Sequence, residues 1–293
     1  MKCCLNSKCC IFNEVFLQYL LPKRLLSKIV GGLMRCRNVW LKNLLIDWFA
    51  NHYQIDMHDA IESDPHAYPS LEDFFIRKVK SEARPFVDGK KEISCPVDGE
   101  ISQAGEINTN TLLQAKGKEF HLVDLLGGDQ KRAKNFASGS FVTIYLAPHD
   151  YHRVYMPYDG VLKEMIYIPG RLFSVNAATS STIDNLYARN ERLVLFFETS
   201  FGPMAMVLVG ALIVAGLNTS WAGKVGAEKT TTLSSWTYDE KHQISLKRSD
   251  EVGYFTFGST VILLFPEGKV NWNKRMVSEK IVEMGQLLGM IMD

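Results

Sequence analysis

Two textures of apolar and polar positions divide the chain. Between residues 14 and 60, apolar side chains recur at helical spacing. The sets are Phe16, Leu17, Leu20 and Leu21; Leu25, Leu26, Ile29, Val30 and Leu33; and Val39, Trp40, Leu44, Leu45, Trp48 and Phe49. Residues three and four apart share a helix face, so the stretch predicts amphipathic helices. Pro22 stands where a helix can begin, because a first turn has no use for the missing N–H. Gly31-Gly32 separates the second apolar set from the third. From residue 94 the period shortens. Apolar, β-branched or aromatic runs at 141–146, 154–156, 193–197, 204–209 and 260–265 are bounded by Gly, Pro, Asp or Asn and predict strands. Only 119–126 and 280–292 keep a helical period. The longest apolar run, 204–217, is interrupted by Gly210 and Gly216. It falls short of the roughly 20 residues a membrane span needs and predicts buried strand. There is neither a repeat of fixed period nor a low-complexity linker. The expected fold is α+β: a mainly antiparallel β core, sandwich- or barrel-like, behind an N-terminal layer of amphipathic helices. Residues 1–15 are expected to be a disordered start, 16–60 the helical region and 61–293 the β-rich domain.

Charge changes this picture in one place. The net charge of +1 over 293 residues argues against a protein built to hold nucleic acid. Residues 1–50, however, carry Lys2, Lys8, Lys23, Arg24, Lys28, Arg35, Arg37 and Lys42 against Glu14 and Asp47. Basic residues among Leu, Trp and Phe on amphipathic helices are the pattern of an interfacial membrane anchor; a helical subdomain packed on its own core is the alternative. The six cysteines do not form a disulfide framework. Cys3-Cys4 and Cys9-Cys10 crowd the start, while Cys36 and Cys95 stand alone. A reduced, cytoplasmic setting follows. His149 and His152 lack a third ligand type nearby, so no metal site is expected.

The segment Gly253-Tyr-Phe-Thr-Phe-Gly-Ser-Thr-Val-Ile-Leu-Leu-Phe265 carries the candidate chemistry. Alone, Gly-Ser-Thr between apolar runs reads as a bulge or tight turn. The flanks are not those of a hydrolase elbow. A glycine before the serine lets the hydroxyl approach its carbonyl without a Cβ in the way, so Ser259 could attack Gly258 and move the peptide bond to an ester.

Here the chain resembles a known family. The segment is similar to the Gly-Ser-Thr processing site of bacterial phosphatidylserine decarboxylases, with Phe257 in place of the usual leucine. Other blocks follow in family order. They are Leu17-Gln-Tyr-Leu-Leu-Pro-Lys23, Pro96-Val-Asp-Gly-Glu-Ile-Ser102, Leu113-Gln-Ala-Lys-Gly117 and Tyr145-Leu-Ala-Pro-His-Asp-Tyr-His-Arg-Val154. Tyr167-Ile-Pro-Gly-Arg-Leu-Phe-Ser-Val-Asn176, Asn190-Glu-Arg192, Phe201-Gly-Pro-Met-Ala205 and Leu208-Val-Gly-Ala211 complete the set. Each is weak alone; the ordered set, from Phe16 to Trp272, is specific.

The resemblance implies self-cleavage between Gly258 and Ser259 into a large chain (1–258) and a small chain (259–293). Ser259 becomes a covalent pyruvoyl group. That ketone forms an imine (Schiff base) with the serine amine of phosphatidylserine and takes up the electrons released with CO2, so the product is phosphatidylethanolamine. It further implies Asp98 as the acidic member of an Asp-His-Ser relay and His152 as a proton donor or orienting group in decarboxylation. The implied partners are an anionic phospholipid membrane, the lipid substrate and the protein's own two chains as a heterodimer, with further dimerisation left open. The implied location is the cytoplasmic face of a bacterial inner membrane, held peripherally. One position departs from the family. Its block usually runs His-Arg-Val-His-Met-Pro, and the second histidine is the relay base; this chain has Tyr155 there. A phenol with a pKa of about 10 is a poor base at neutral pH. This leaves open an uncleaved or poorly processed homologue that acts as a lipid- or headgroup-binding module.

Overall fold

The apolar run after Gly258 forms the central strand, Ser259–Phe265, of a nine-stranded sheet. The computed structural model describes residues 18–19, 22–115, 117–212, 216–226, 231–256 and 258–292. The readings placed on residues 1–17, on Leu20 and Leu21, and on Phe257 lie outside them. The central strand pairs antiparallel with Ser140–Leu146 on one side and Gly202–Gly210 on the other. Beyond these lie Gly99–Glu106 and Ile281–Val282 in one direction, and Arg192–Thr199 and Gly160–Ile168 in the other. Ser234–Thr237 and Ile244–Leu246 share the outer edge of Gly160–Ile168. Among the described residues the sheet does not close on itself, so the architecture is layered rather than a barrel.

Side chains alternate along a strand, and here both faces are covered. Val261, Leu263 and Phe265 pack with Val154, Phe255, Leu217 and Leu288 in one cluster, while Ile262 and Leu264 pack with Phe120, Phe136 and Tyr187 in another. Burial on both faces explains why this run reads as continuously apolar. The first cluster is capped by two smaller sheets. One holds Gly223–Val225, Leu217–Thr219, Glu251–Phe255 and Arg153–Tyr155; the other holds Glu92–Ser94, Leu287–Ile291 and Val270–Trp272.

Two N-terminal helices, Lys23–Met34 and Val39–Tyr53, form the expected helical layer. The first runs through Gly31-Gly32 and ends at Met34, so the glycines do not separate two helices. Asn38 caps the second by accepting from the Leu41 N–H. Met34, Ile46 and Phe49 bury against Leu71, Phe74 and Phe75. Leu25, Ile29 and Leu33, and likewise Trp40, Leu44 and Trp48, are exposed at i, i+4, i+8 spacing. Among the described residues, no helix is long and apolar enough to cross a membrane.

The helical period at 280–292 does not survive. Gly285 has φ of +87°, and a Cβ there would lie 2.5 Å from the Pro85 carbonyl oxygen. The chain turns at that point, and residues 287–291 pair as a strand with Glu92–Ser94. Residues 119–126 split into the strand Glu119–His121 and the single turn Leu122–Leu125.

Candidate active site

One end of the large sheet collects the residues singled out from the sequence. Ser259 is the first residue of its strand and stands opposite Leu146 and Gly210. By alternation its side chain lies on the face of Val261 and Leu263, toward the sheet that carries Arg153–Tyr155. Ser259 is fully buried, and its Oγ has no hydrogen-bond partner among the described residues. A buried hydroxyl left unpaired costs about 1–3 kcal/mol, so this serine is retained against packing. A Cβ on Gly258 would meet only the Leu146 carbonyl oxygen, at 3.8 Å. Packing of the resting chain would therefore accept alanine at this position.

The loop after Leu146 brings in His152. Its Nε2 is 2.8 Å from the carbonyl oxygen of Ala147, the residue following the cross-strand partner of Ser259. A carbonyl only accepts, so Nε2 carries the proton. Nδ1 is then a bare acceptor, buried and without a partner among the described residues. Burial, with smaller contributions from Arg77 and His149, pushes the imidazole down to about 3. The ring is neutral in the closed site and can accept a proton at Nδ1, but it can donate one from there only after taking one up. The aromatic ring of Phe75 stacks on it at 4.3 Å, so the helical layer forms one wall of the site.

Asp98 sits at the same sheet end, at the turn into Gly99–Glu106, with Ser140–Leu146 between it and the strand of Ser259. Its carboxylate does not meet a histidine. It accepts from Arg84 Nε (3.2 and 3.1 Å) and Nη2 (3.0 Å), and from the Met284 N–H at 2.7 Å. Met284 belongs to the segment after Ser259, so this contact joins the two parts of the chain. Tyr155 lies beside this turn: its N–H donates to the Pro96 carbonyl (2.9 Å) and its hydroxyl pairs with that of Tyr151 (2.9 Å). Burial raises its phenol above the ordinary value, further from any use as a base. The structure thus brings His152 and Ser259 to one sheet end and assigns Asp98 to Arg84.

Three participants were not picked out from the sequence. Asp150, which accepts from the Ala147 N–H at 2.6 Å, is pushed up to about 6 by burial. Arg77 is buried, reaches the His149 carbonyl at 3.4 Å and leaves Nη1 without a partner. Arg153 binds Glu251 through Nη1 at 2.7 and 2.8 Å and donates through Nε to the Ile76 carbonyl at 2.9 Å, tying the helical layer to the site. Asp150 lies within a block already recognised; Arg77 carries no local signal.

Comparison with known proteins decides the lineage. The profile of the family described as phosphatidylserine decarboxylase matches residues 71–290, and a second, described as PSD, matches residues 14–54. The chain belongs to the phosphatidylserine decarboxylase family. It is 50% identical over 274 residues to the phosphatidylserine decarboxylase proenzyme of Ectopseudomonas mendocina, covering 93% of this chain and 96% of that one. The proenzyme of Idiomarina loihiensis is 44% identical over 280 residues, covering 95% and 96%. That of Pseudomonas aeruginosa is 47% identical over 275 residues, covering 93% and 95%. These family members are named as proenzymes, and Gly258-Ser259 lies within the first profile's match.

Proposed function

We propose that this protein is a self-processing phosphatidylserine decarboxylase whose precursor is cut between Gly258 and Ser259, and whose product is phosphatidylethanolamine. The observation that carries the reading is Ser259: a buried hydroxyl after a glycine, without a partner among the described residues, at the start of the central strand, with His152 anchored through Nε2 to the residue after its cross-strand partner and its Nδ1 left without a partner among the described residues. Ser259 Oγ attacks the Gly258 carbonyl carbon, the C–N bond breaks, and the amide nitrogen takes a proton. Loss of the Ser259 α-hydrogen then expels the Gly258 carboxylate. The dehydroalanine left behind hydrolyses to a pyruvoyl group with release of ammonia. A buried hydroxyl without a partner among the described residues, and open space beside Gly258, fit that group at this position. Once formed, it supplies a carbonyl conjugated to an amide, a sink for the electron pair released with CO2. His152 then orients the headgroup and, once protonated, returns a proton to the α-carbon.

The test is the intact mass of the purified protein, together with CO2 release from phosphatidylserine vesicles. Two chains, the smaller with a blocked N-terminus beginning at position 259, are expected with activity. A small chain with a free amine would refute the pyruvoyl step. A single inert chain would favour the binding-module reading, which Tyr155 alone supports.

Membrane attachment belongs to the same proposal. The exposed stripes of Leu25, Ile29, Leu33, Trp40, Leu44 and Trp48 suit an interfacial face, with Lys28 and Arg37 exposed beside them. The inner faces of these helices are core, so point changes on the outer face test the idea more cleanly than truncation. Leu25→Ser, Trp40→Ser and Trp48→Ser together should lower binding to anionic vesicles by roughly tenfold for each side chain withdrawn. Cleavage should proceed unchanged. Undiminished co-sedimentation would sink the assignment.

A further inference from the structure

We propose that the cleft between the start of the Lys23–Met34 helix and the 169–173 loop is a phosphodiester subsite that holds the phosphate of the substrate lipid, with Lys23, Arg171 and Arg189 as its cations. The inference rests on the reading of the chain as a lipid decarboxylase. The cleft has a volume of about 950 Å³, its lining includes Tyr19, Leu25 and Phe173 beside the three cations, and among the described residues it contains no carboxylate. Asp184, which feels the charge of Arg189, is paired with Lys118.

The cations are held together by backbone, not by chance of side-chain position. The Arg171 N–H donates to the Arg189 carbonyl at 2.8 Å, and the Glu191 N–H donates to the Arg171 carbonyl at 2.9 Å. A Cβ on Gly170 would come within 2.5 Å of the Asn190 carbonyl carbon and the Glu191 nitrogen, so the loop can press this close only with glycine there. Phe173 forms the floor: Lys23 Nζ lies 3.1 Å from its ring centroid and the Arg189 guanidinium carbon 5.4 Å. Burial and the two guanidinium groups pull the Lys23 amine down to about 8, as expected for positive charge that lacks a counterion. A phosphodiester would relieve that repulsion, and a guanidinium fork matches its oxygens.

Position ties the cleft to Ser259. The Asn190 side chain accepts from the Phe173 N–H (3.1 Å) and donates to the carbonyls of Phe173 (2.8 Å) and Gly210 (3.0 Å). Gly210 is the register partner of Ser259. The anchor of the cleft is therefore two strands from Ser259 along the same sheet end, roughly 10 Å at ordinary strand spacing; Phe173 packs with the opposite face of the sheet from the Ser259 side chain, so the headgroup would reach round the strand ends. The amine and phosphorus of the lipid are four bonds apart, and an arginine side chain covers the remainder. At the rim, exposed Leu25 begins the apolar stripe that continues through Ile29 and Leu33, an exit for acyl chains.

Two measurements test the subsite. In calorimetry on the uncut Ser259→Ala chain, glycerophosphoserine should bind and free serine should bind far more weakly. Arg171→Gln with Arg189→Gln should weaken the former by about tenfold to a hundredfold, the worth of charged hydrogen bonds, and Arg171→Lys should lose less than Arg171→Gln. In mature enzyme, KM for monomeric short-chain phosphatidylserine should rise by a similar factor with kcat within about twofold. The small chain should still form at the parental rate. Unchanged affinity for glycerophosphoserine would overturn the proposal. So would a loss confined to vesicles of phosphatidylglycerol, because the cations would then serve the bulk bilayer. Calorimetry needs no turnover, so a chain that binds the probe but never decarboxylates would indict the enzymatic reading and not the subsite.

Discussion

Ser259→Ala should leave a single uncut chain of 293 residues with no decarboxylase activity. The substitution removes a hydroxyl that is fully buried and has no partner among the described residues. Alanine keeps the Cβ and the strand pairing, so it costs no packing and removes a desolvated polar atom. The precursor should unfold at the parental temperature or above it, because an unsatisfied buried hydroxyl is worth about 1–3 kcal/mol against the fold. Loss of cleavage would then report chemistry and not misfolding. A gel separating the two chains, read beside a thermal melt, is sufficient. A small chain arising from Ser259→Ala would show that another residue is the nucleophile. The same geometry explains why the cut wild-type protein should hold together. The break falls before the first residue of the central strand, so the strand keeps its pairing on both sides, and the Arg84–Asp98–Met284 contact still joins the two chains.

Tyr155→His should speed the appearance of the small chain by about a hundredfold near neutral pH, the lower end of the range a positioned base supplies. Burial raises the phenol of Tyr155 above its ordinary value, so it is protonated and no base near neutral pH. An imidazole there would be largely basic above pH 7. It would sit beside the Pro96 carbonyl, near the turn of Asp98, where a carboxylate can orient it. Decarboxylation by mature enzyme should change little, since His152 is present in both proteins. Following small-chain formation from pH 6 to 9 in both forms decides the matter. If wild type matures as fast as the variant across that range, the base lies elsewhere. His152→Ala, His149→Ala and Asp150→Asn are then the next substitutions, the last because Asp150 accepts from the Ala147 N–H and is pushed up to about 6 by burial.

Both expectations depend on residues of unequal legibility. The central strand and the two amphipathic helices could be read directly, because each is written in neighbouring residues: a short run apolar on both faces, and period 3.6 with one polar face. The Gly258-Ser259 pair stood out only through the family resemblance of the blocks around it. Where local pattern misled, a distant contact was responsible. The 280–292 period suggested a helix, and Gly285 pressed against Pro85 made it a turn into a strand. The apolar set Leu25, Leu26, Ile29, Val30 and Leu33 read as one face. Packing leaves Leu26 and Val30 half-buried and turns Leu25, Ile29 and Leu33 outward.

The sequence by itself therefore determined which segments are strands and helices over most of the chain and to which family it belongs, and it singled out Gly258-Ser259 as the pair proposed for cleavage. Only the tertiary structure decided that Arg84 and not a histidine holds Asp98, that Arg77 is buried with Nη1 lacking a partner among the described residues, that Arg171 and Arg189 are joined through their backbones, and that Lys23 and Arg189 stand over Phe173. The reason is physical. Secondary structure follows from the periodicity of adjacent side chains, whereas the partner of a buried charge is set by strand register and loop packing between residues far apart in the chain.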